Sequence, residues 1–333
     1  MKDFKILIMV LSPFLFGFIA LFLGAYGINV KDIIKILLNE TLHVFHIEDT
    51  PQKAIVLDIR LPRIILAGLV GAALSGSGVT LQGIFRNPLI DPFILGISAG
   101  AAFGCAICVG FLNFIPIQLM AFIFSLLAVI ISYNIAKGQG EVSRLPLILS
   151  GVIVSAFFTA LVSIIKFLVD PHRLQAIVFW LMGSFSLSDW DSVKIAGVGI
   201  GLSLIPIFFM RWRLNVLSLG YEEAKALGIN VKLERLLFIG FSTLAVSVAT
   251  SLTGIIGWVG LMVPHLVRMI IGPDHRILVP LSFFAGASFM IAADTISRTL
   301  TSFDIPVGII TSISGAPFFI YLLKRGGKEV WGR

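Results

Sequence analysis

The sequence predicts an all-α membrane protein of about ten transmembrane helices, and three observations carry that expectation. Hydrophobic residues make up 57% of the 333 and charged residues only 13%, with a mean hydropathy of +1.01. A soluble domain is about a quarter charged and needs that polar surface to face water. Charge-poor runs of about twenty residues recur along the whole chain, the length that crosses a bilayer core. Lipid offers no partner to free backbone groups, so such runs must be helices or closed barrel strands. These runs are too long, and alternate too little, for barrel strands.

Taken in order, the expected spans lie near 6–27, 62–83, 91–110, 115–136, 146–169, 192–210, 234–253, 255–270, 278–297 and 306–323. The first follows Met1-Lys2-Asp3-Phe4-Lys5 and is too long for a signal-peptide core, so it reads as a retained span. The eighth is short and carries Pro264 and His265 near its end. Residues 1–333 form one transmembrane domain, since no connecting segment is large enough to fold alone. Residues 28–61 hold Ile33, Ile34, Ile36, Leu37 and Leu38 among Lys31, Asp32 and Lys35, a pattern that predicts a short amphipathic helix at the interface. Residues 170–190 carry Leu174, Ile177, Val178 and Leu181 at helical spacing after Pro171. Residues 211–232 predict a short helix on the other side of the membrane. Ser218 is its expected cap, Glu222 and Glu223 stand in its first turn, and Gly228 stops it. Leu219, Glu223 and Leu227 fall on one face of that helix.

Charge distribution orients the chain. Most of the 25 Lys and Arg, among them Lys5, Arg86, Lys137, Arg211, Arg213, Lys225, Lys232, Arg268, Arg276 and Lys324, fall on the side that holds both termini. Asp32, Glu40, Asp58, Asp170, Asp189, Asp191 and Asp304 fall on the other. By the positive-inside rule both termini are cytoplasmic and the chain is a multi-pass protein of the cytoplasmic membrane. The net charge of +7 therefore belongs to loops, and there is no soluble basic module for nucleic acid. Cys105 and Cys108 lie in an apolar run without further metal ligands nearby and read as packing residues. Small residues crowd the second span (Gly68, Gly71, Ala72, Ala73, Ser75, Gly76 and Gly78), which predicts close helix packing. Lys166 sits near an outer span end, where it snorkels to the surface. No phosphate-binding G-x-x-x-x-G-K-[ST] loop, zinc-spaced histidine pair or nucleophile elbow occurs, so no catalytic residue and no cofactor is expected in this chain.

Four stretches carry a family resemblance. Ile59-Arg60-Leu61-Pro62-Arg63 continues through Gly71 to Gly78 and Leu81-Gln82-Gly83-Ile84-Phe85-Arg86-Asn87-Pro88-Leu89-Ile90-Asp91-Pro92 to Leu95-Gly96-Ile97-Ser98-Ala99-Gly100. Leu219-Gly220 leads through Ala224 to Ala226-Leu227-Gly228. Gly257-Trp258-Val259-Gly260-Leu261-Met262-Val263-Pro264-His265-Leu266-Val267-Arg268 is followed by Gly272 to Arg276. Asp304-Ile305-Pro306-Val307-Gly308 and Gly315-Ala316-Pro317-Phe318-Phe319 stand near the C-terminus. Together they resemble the FecCD family of permeases, the importers of ferric siderophores, haem and cobalamin, over nearly the whole chain.

The resemblance implies a cobalamin-permease-like fold and a homodimer with its path at the two-fold axis. Two ATP-binding subunits, which use ATP and Mg, would sit on the cytoplasmic side, and one extracytoplasmic substrate-binding protein on the other. It implies that Arg60, Arg63 and Arg298 dock the binding protein, their planar forks suiting carboxylates. Asp294, one helical turn before Arg298, is an alternative partner for it within the chain. The resemblance also implies that Asn87-Pro88-Leu89, with Val142 and Ser143, form the cytoplasmic gate. Leu219, Gly220, Glu222, Glu223, Ala224, Leu227 and Gly228 would couple to the ATPase, as an exposed helix filling a groove. Some members carry oxyanions such as molybdate, which stands as an alternative substrate. An ion-coupled secondary transporter would need ionisable residues near mid-span; only Asp294 approaches this, and it lies late in its span. A membrane-embedded enzyme would need a carboxylate or histidine constellation that the sequence lacks.

Overall fold

The computed structural model describes residues 2–24, 26–42, 50–137, 144–301 and 303–326, and these are helical with no strand among them. The order is α1 (Lys2–Phe22), α2 (Val30–Leu42), α3 (Pro51–Ala54), α4 (Leu61–Phe85), α5 (Ile97–Phe111), α6 (Ile117–Lys137), α7 (Arg144–Leu168), α8 (Pro171–Leu181), α9 (Trp190–Leu219), α10 (Tyr221–Ala226), α11 (Val231–Thr253), α12 (Val259–Ile271), α13 (His275–Thr299) and α14 (Val307–Gly326). Seven of these segments are long and apolar enough to cross a membrane, and α5, α12 and α14 are shorter apolar helices. The ten together coincide with the ten spans read from hydropathy.

Helix α4 is the axis of the bundle. Every residue from Ala73 to Phe85 is buried, and 78% of the most apolar stretch of its segment is buried against 11% for α1. The small residues explain how α4 can be surrounded. A side chain begun at Gly71 would meet the carbonyl oxygen of Gly286 on α13 at 2.1 Å. One begun at Gly78 would meet the carbonyl oxygen of Gly260 on α12 at 1.9 Å. Backbone therefore packs on backbone at both places, as small residues allow in lipid. The outward faces of α1, α7 and α9 carry exposed Phe14, Phe18, Phe157, Val198 and Phe209, an apolar surface of the kind that acyl chains solvate.

The structure corrects the sequence reading at four places. The second span is preceded by helix, not loop: Pro51 to Phe85 is continuous, with one π-helical turn at Ile55–Arg60. The turn buries Val56 and Arg60. The sixth span does not stop at Arg211; α9 runs on to Leu219 because Arg213 pairs with Glu234 and Arg211 donates to the Phe208 and Arg276 carbonyls. Ser218 is not the cap of α10. It lies inside α9, its hydroxyl donating to the Asn215 carbonyl, and Gly220 breaks the helix instead. Pro264 and His265 stand in the middle of α12, which begins only at Val259. Trp258, at φ +72°, starts that helix and packs against Gly315 and the Phe319 ring.

The amphipathic segment expected at the interface is α2, and its Ile33 and Ile36 pack on Ile28 and Val56 rather than on lipid alone. Cys105 and Cys108 are buried free thiols in α5.

Adding one methyl at one of these backbone contacts tests this account. Gly286→Ala places a carbon 2.3 Å from the Gly71 carbonyl oxygen, so α13 must move away from α4. The expected loss is about 1–3 kcal/mol, read as a lowered thermal midpoint of the purified protein. Gly197→Ala, with nothing within 4 Å, should leave the midpoint unchanged.

Candidate functional site

The two ends of the bundle carry different polar apparatus, both anchored on α4. At the end that holds α10, helix α4 stops at Arg86, whose backbone is left-handed at φ +51°. The Arg86 amide donates to the Gln82 and Gly83 carbonyls, and the Asn87 amide donates to the Gln82 carbonyl at 3.1 Å. These bonds satisfy carbonyls that a helix end leaves open. The Asn87 side-chain oxygen accepts from the Leu89 amide at 2.9 Å, folding Asn87-Pro88-Leu89 into a tight turn. Leu89 is exposed at its tip. Gln82 holds the turn from inside. Its amide nitrogen donates to the Ile90, Gly260 and Leu261 carbonyls and its oxygen accepts from Arg268 at 3.0 Å. Val142 and Ser143, the other half of the expected gate, lie outside the described residues.

Beside this turn, Arg86 donates to the Leu217 carbonyl at 3.2–3.3 Å, tying α4 to the end of α9. Helix α10 follows after Gly220. Ala224 is fully buried, while Leu219 and Leu227 are 57% and 62% exposed. Glu222, Glu223 and Lys225 are exposed too. Gly228, at φ +79°, ends the segment, its amide donating to the Lys225 carbonyl. The expected coupling residues thus form a surface knob with two unpartnered leucines and a charged rim. Asp274 caps α13 next door. Hydrogen bonds from Arg276, then from Asn215, hold its carboxyl far below the usual carboxylate range.

At the opposite end the three arginines meet, but their guanidinium groups are turned into the protein. Arg60, Arg63 and Arg298 are all buried. Arg63 donates to both oxygens of Asp294 at 3.0 and 3.1 Å and to Asp304 at 2.6 Å. Arg298 stands 3.6 Å from Asp294, an ion pair too long for a hydrogen bond. So the pairing of Arg298 with Asp294 weighed from sequence is present, and Asp294 serves Arg63 as well. Arg298 also donates to the Ala20 and Leu23 carbonyls, and Arg60 to those of Leu21 and Tyr26. Ala20 and Leu21 lie in the last turn of α1, whose carbonyls a helix end leaves open and where cations favour the helix dipole, and Leu23 and Tyr26 lie just beyond it. Two arginines therefore cap α1, and the third pins the 300–306 loop to α4. Burial pushes the Asp304 carboxyl up, but hydrogen bonding and charge from Arg63 outweigh it and hold it below its ordinary value. Ser186 adds a hydrogen bond at 2.9 Å.

Sequence reasoning missed Asp304 as a partner of Arg63, and gave no role to Gln82, Arg268 or His275. All four lie within the quoted motif stretches, but their partners are far apart in sequence. Among the described residues no group of three His, Cys, Asp or Glu side chains is placed to hold a metal.

Comparison with known proteins extends this picture. A profile described as the FecCD transport family matches residues 11–325. The chain is 44% identical over 308 residues to a Helicobacter pylori permease protein named for an iron chelatin transport system, covering 92% of this chain and 94% of that protein. It is 42% identical over 316 residues to a Haemophilus influenzae molybdate import system permease protein, covering 93% of each. A solved inward-facing structure, described as a metal-chelate type ABC transporter, superposes with a TM-score of 0.86 at 36% identity, covering 97% of this chain and 99% of that one.

Asp294 is the hub of the buried charges, and its neutralisation tests the network. Asp294→Asn leaves Arg63 and Arg298 short of negative charge inside the bundle and should cost about 3–5 kcal/mol. Asp304→Asn, at a side chain 35% exposed, should cost clearly less. Denaturation of both variants in detergent micelles checks the order; equal losses would refute the assignment of Asp294 as the hub.

Proposed function

The chain belongs to the FecCD transport family, and on that premise we propose that it is the permease subunit of a binding-protein-dependent ABC importer that carries a metal chelate across the cytoplasmic membrane. The observation that carries this reading is similarity over almost the whole chain, in sequence and in fold, to importer permeases. The subunit has no catalytic activity of its own; ATP and Mg are used by the partner ATPase. A metal chelate is favoured because the iron chelatin relative and the metal-chelate structural neighbour both match over nearly their full lengths. Molybdate is the second reading, favoured by the 42% identical Haemophilus relative.

The active unit in this proposal is a homodimer, with two ATPase subunits on the cytoplasmic side and one binding protein outside. The α10 end is cytoplasmic, since Arg211, Arg213, Lys225, Lys232, Arg268 and Arg276 cluster there. The exposed Leu219 and Leu227 enter a groove on the ATPase, and Glu222, Glu223 and Lys225 set register through charge. The turn at Asn87, Pro88 and Leu89 closes the path, together with Val142 and Ser143. At the outer end, Arg60, Arg63 and Arg298 fix the surface on which the binding protein sits. A carboxylate from that protein reaches Arg63 by displacing Asp304, the more exposed of its two partners.

Reconstitution in liposomes with the ATPase and a binding protein tests the whole reading. ATP hydrolysis should rise severalfold with a binding protein loaded with one of ferric siderophore, haem, cobalamin or molybdate, and the stimulating ligand names the substrate. Uptake that follows an imposed proton or sodium gradient without ATP would overturn it. Leu219→Asp and Leu227→Asp should each weaken ATPase association by about 30-fold, since a buried anchor at an interface contributes about 2 kcal/mol. Co-purification yield and the concentration dependence of hydrolysis read this directly.

A further inference from the structure

A cavity of about 230 Å³ opens at the α10 end between the 86–88 turn, Ser218 at the end of α9, Arg268 of α12 and His275 at the start of α13. Gln82 and Gly83 form its floor. Two guanidinium groups line it, and no carboxylate among the described residues pairs with either. Elsewhere at this end, Arg213 has Glu234 and Arg276 has Asp274. Arg86 instead meets only the Leu217 carbonyl, and Arg268 only the neutral oxygen of Gln82. Each keeps N–H donors free, since a guanidinium carries five.

The third group is His275, 6% exposed and without a hydrogen-bond partner for its Nε2. Its tautomer is fixed by its neighbours. The backbone amide of His275 donates to one side-chain atom of Asn215 at 2.9 Å, which must therefore be the oxygen. The imidazole Nδ1 stands 2.9 Å from that same oxygen and so carries the proton. The other Asn215 atom donates to Asp274 at 2.7 Å, consistent with an amide nitrogen. The Nε2 of the neutral ring is thus an acceptor. It stands beside Gly83, where any side chain would come within 2.8 Å of it. Gly83 and His275 both line the cavity, so Nε2 lies in its wall, buried and without a donor.

We propose that this cavity binds a hydrogen phosphate group, with Arg268 and Arg86 donating to its oxygens and its P–O–H donating to the Nε2 of His275. The pattern of two cationic donors and one buried acceptor asks for an anion that also carries a proton. Inorganic phosphate carries that proton near neutral pH and a phosphomonoester carries it as its monoanion, whereas sulfate, carboxylates and phosphodiester headgroups have no such proton. The volume suits a tetrahedral anion with a few waters, each taking ~30 Å³. Bound there, the anion joins the 86–88 turn to α12 and α13 at the base of α4.

The full-length protein in phosphatidylcholine nanodiscs tests the site. Inorganic phosphate, titrated at constant ionic strength, should raise the thermal midpoint saturably, and sulfate should act at least tenfold more weakly. Arg268→Gln and Arg86→Gln should each weaken phosphate binding about ten- to hundredfold, the worth of a charge-assisted hydrogen bond. Arg86 is exposed, so its variant stays informative if Arg268→Gln fails to fold. Nanodiscs doped with phosphatidic acid separate the two sources of the group. Loss of the response to free phosphate there identifies a lipid phosphomonoester as occupant, and persistence identifies the free anion. Equal effects of phosphate and sulfate, or wild-type binding by Arg86→Gln, would overturn the proposal.

Discussion

Backbone contact between α4 and its neighbours is the constraint on which the rest of this structure depends. Between helices in lipid there is no hydrophobic driving force, because acyl chains are as apolar as leucine. Cohesion must come from close van der Waals approach and from polar bonds. Gly71 against Gly286 and Gly78 against Gly260 supply the first. They bring α13 and α12 so near α4 that no side chain fits between. With α4 fixed in this way, both polar ends of the molecule take their positions from one helix. The π-helical turn at its start carries Arg60, its first turn carries Arg63, and its last turns carry Gln82 and Arg86.

The charges at the end opposite α10 follow a consistent logic. A buried ion pair is costly to desolvate and contributes little net stability, but losing one partner is expensive. Arg60 and Arg298 spend donors on the open carbonyls of α1, and Arg63 and Arg298 share Asp294. The arrangement specifies where α1 and the 300–306 loop must lie. Asp304 differs from Asp294 in exposure, 35% against 1%. It is therefore the member of the network that can exchange its partner without stranding a buried charge.

Much of this was legible in the sequence because lipid imposes a simple rule on composition. Each of the ten expected spans overlaps a helix, seven of them long and apolar enough to cross a membrane, and the small residues of α4 pack as their size demands. What hydropathy could not show is helix that continues outside the apolar core. The 51–60 segment and the 211–219 end of α9 are helical in spite of their charges, because Arg60, Arg211 and Arg213 find partners in tertiary structure. Arg60, Arg63 and Arg298 were visible as a set, yet their geometry was not. Asp294 and Asp304 lie more than 200 residues from Arg63 in sequence. Nor did any local signal show that the Ser218 hydroxyl would bond back inside α9 while Gly220 opened the chain.

The length of α9 gives the α10 knob its mechanical meaning. Thirty residues span ~45 Å, against ~30 Å for a hydrocarbon core, so α9 is a rod long enough to reach beyond that core. A six-residue helix such as α10 cannot hold itself together in water. It is held by the burial of Ala224 against the core and by its position at the end of that rod. Gly220, in an extended conformation, is the joint between them. Force applied to Leu219 or Leu227 therefore enters α9 directly. It also reaches α4 through the bonds from Arg86 to the Leu217 carbonyl, two residues before the joint. The same Arg86 ends α4 and begins the turn at Asn87-Pro88-Leu89. In the proposed coupling, a push on the knob reaches that turn through the Arg86 side chain, which joins the two helix ends.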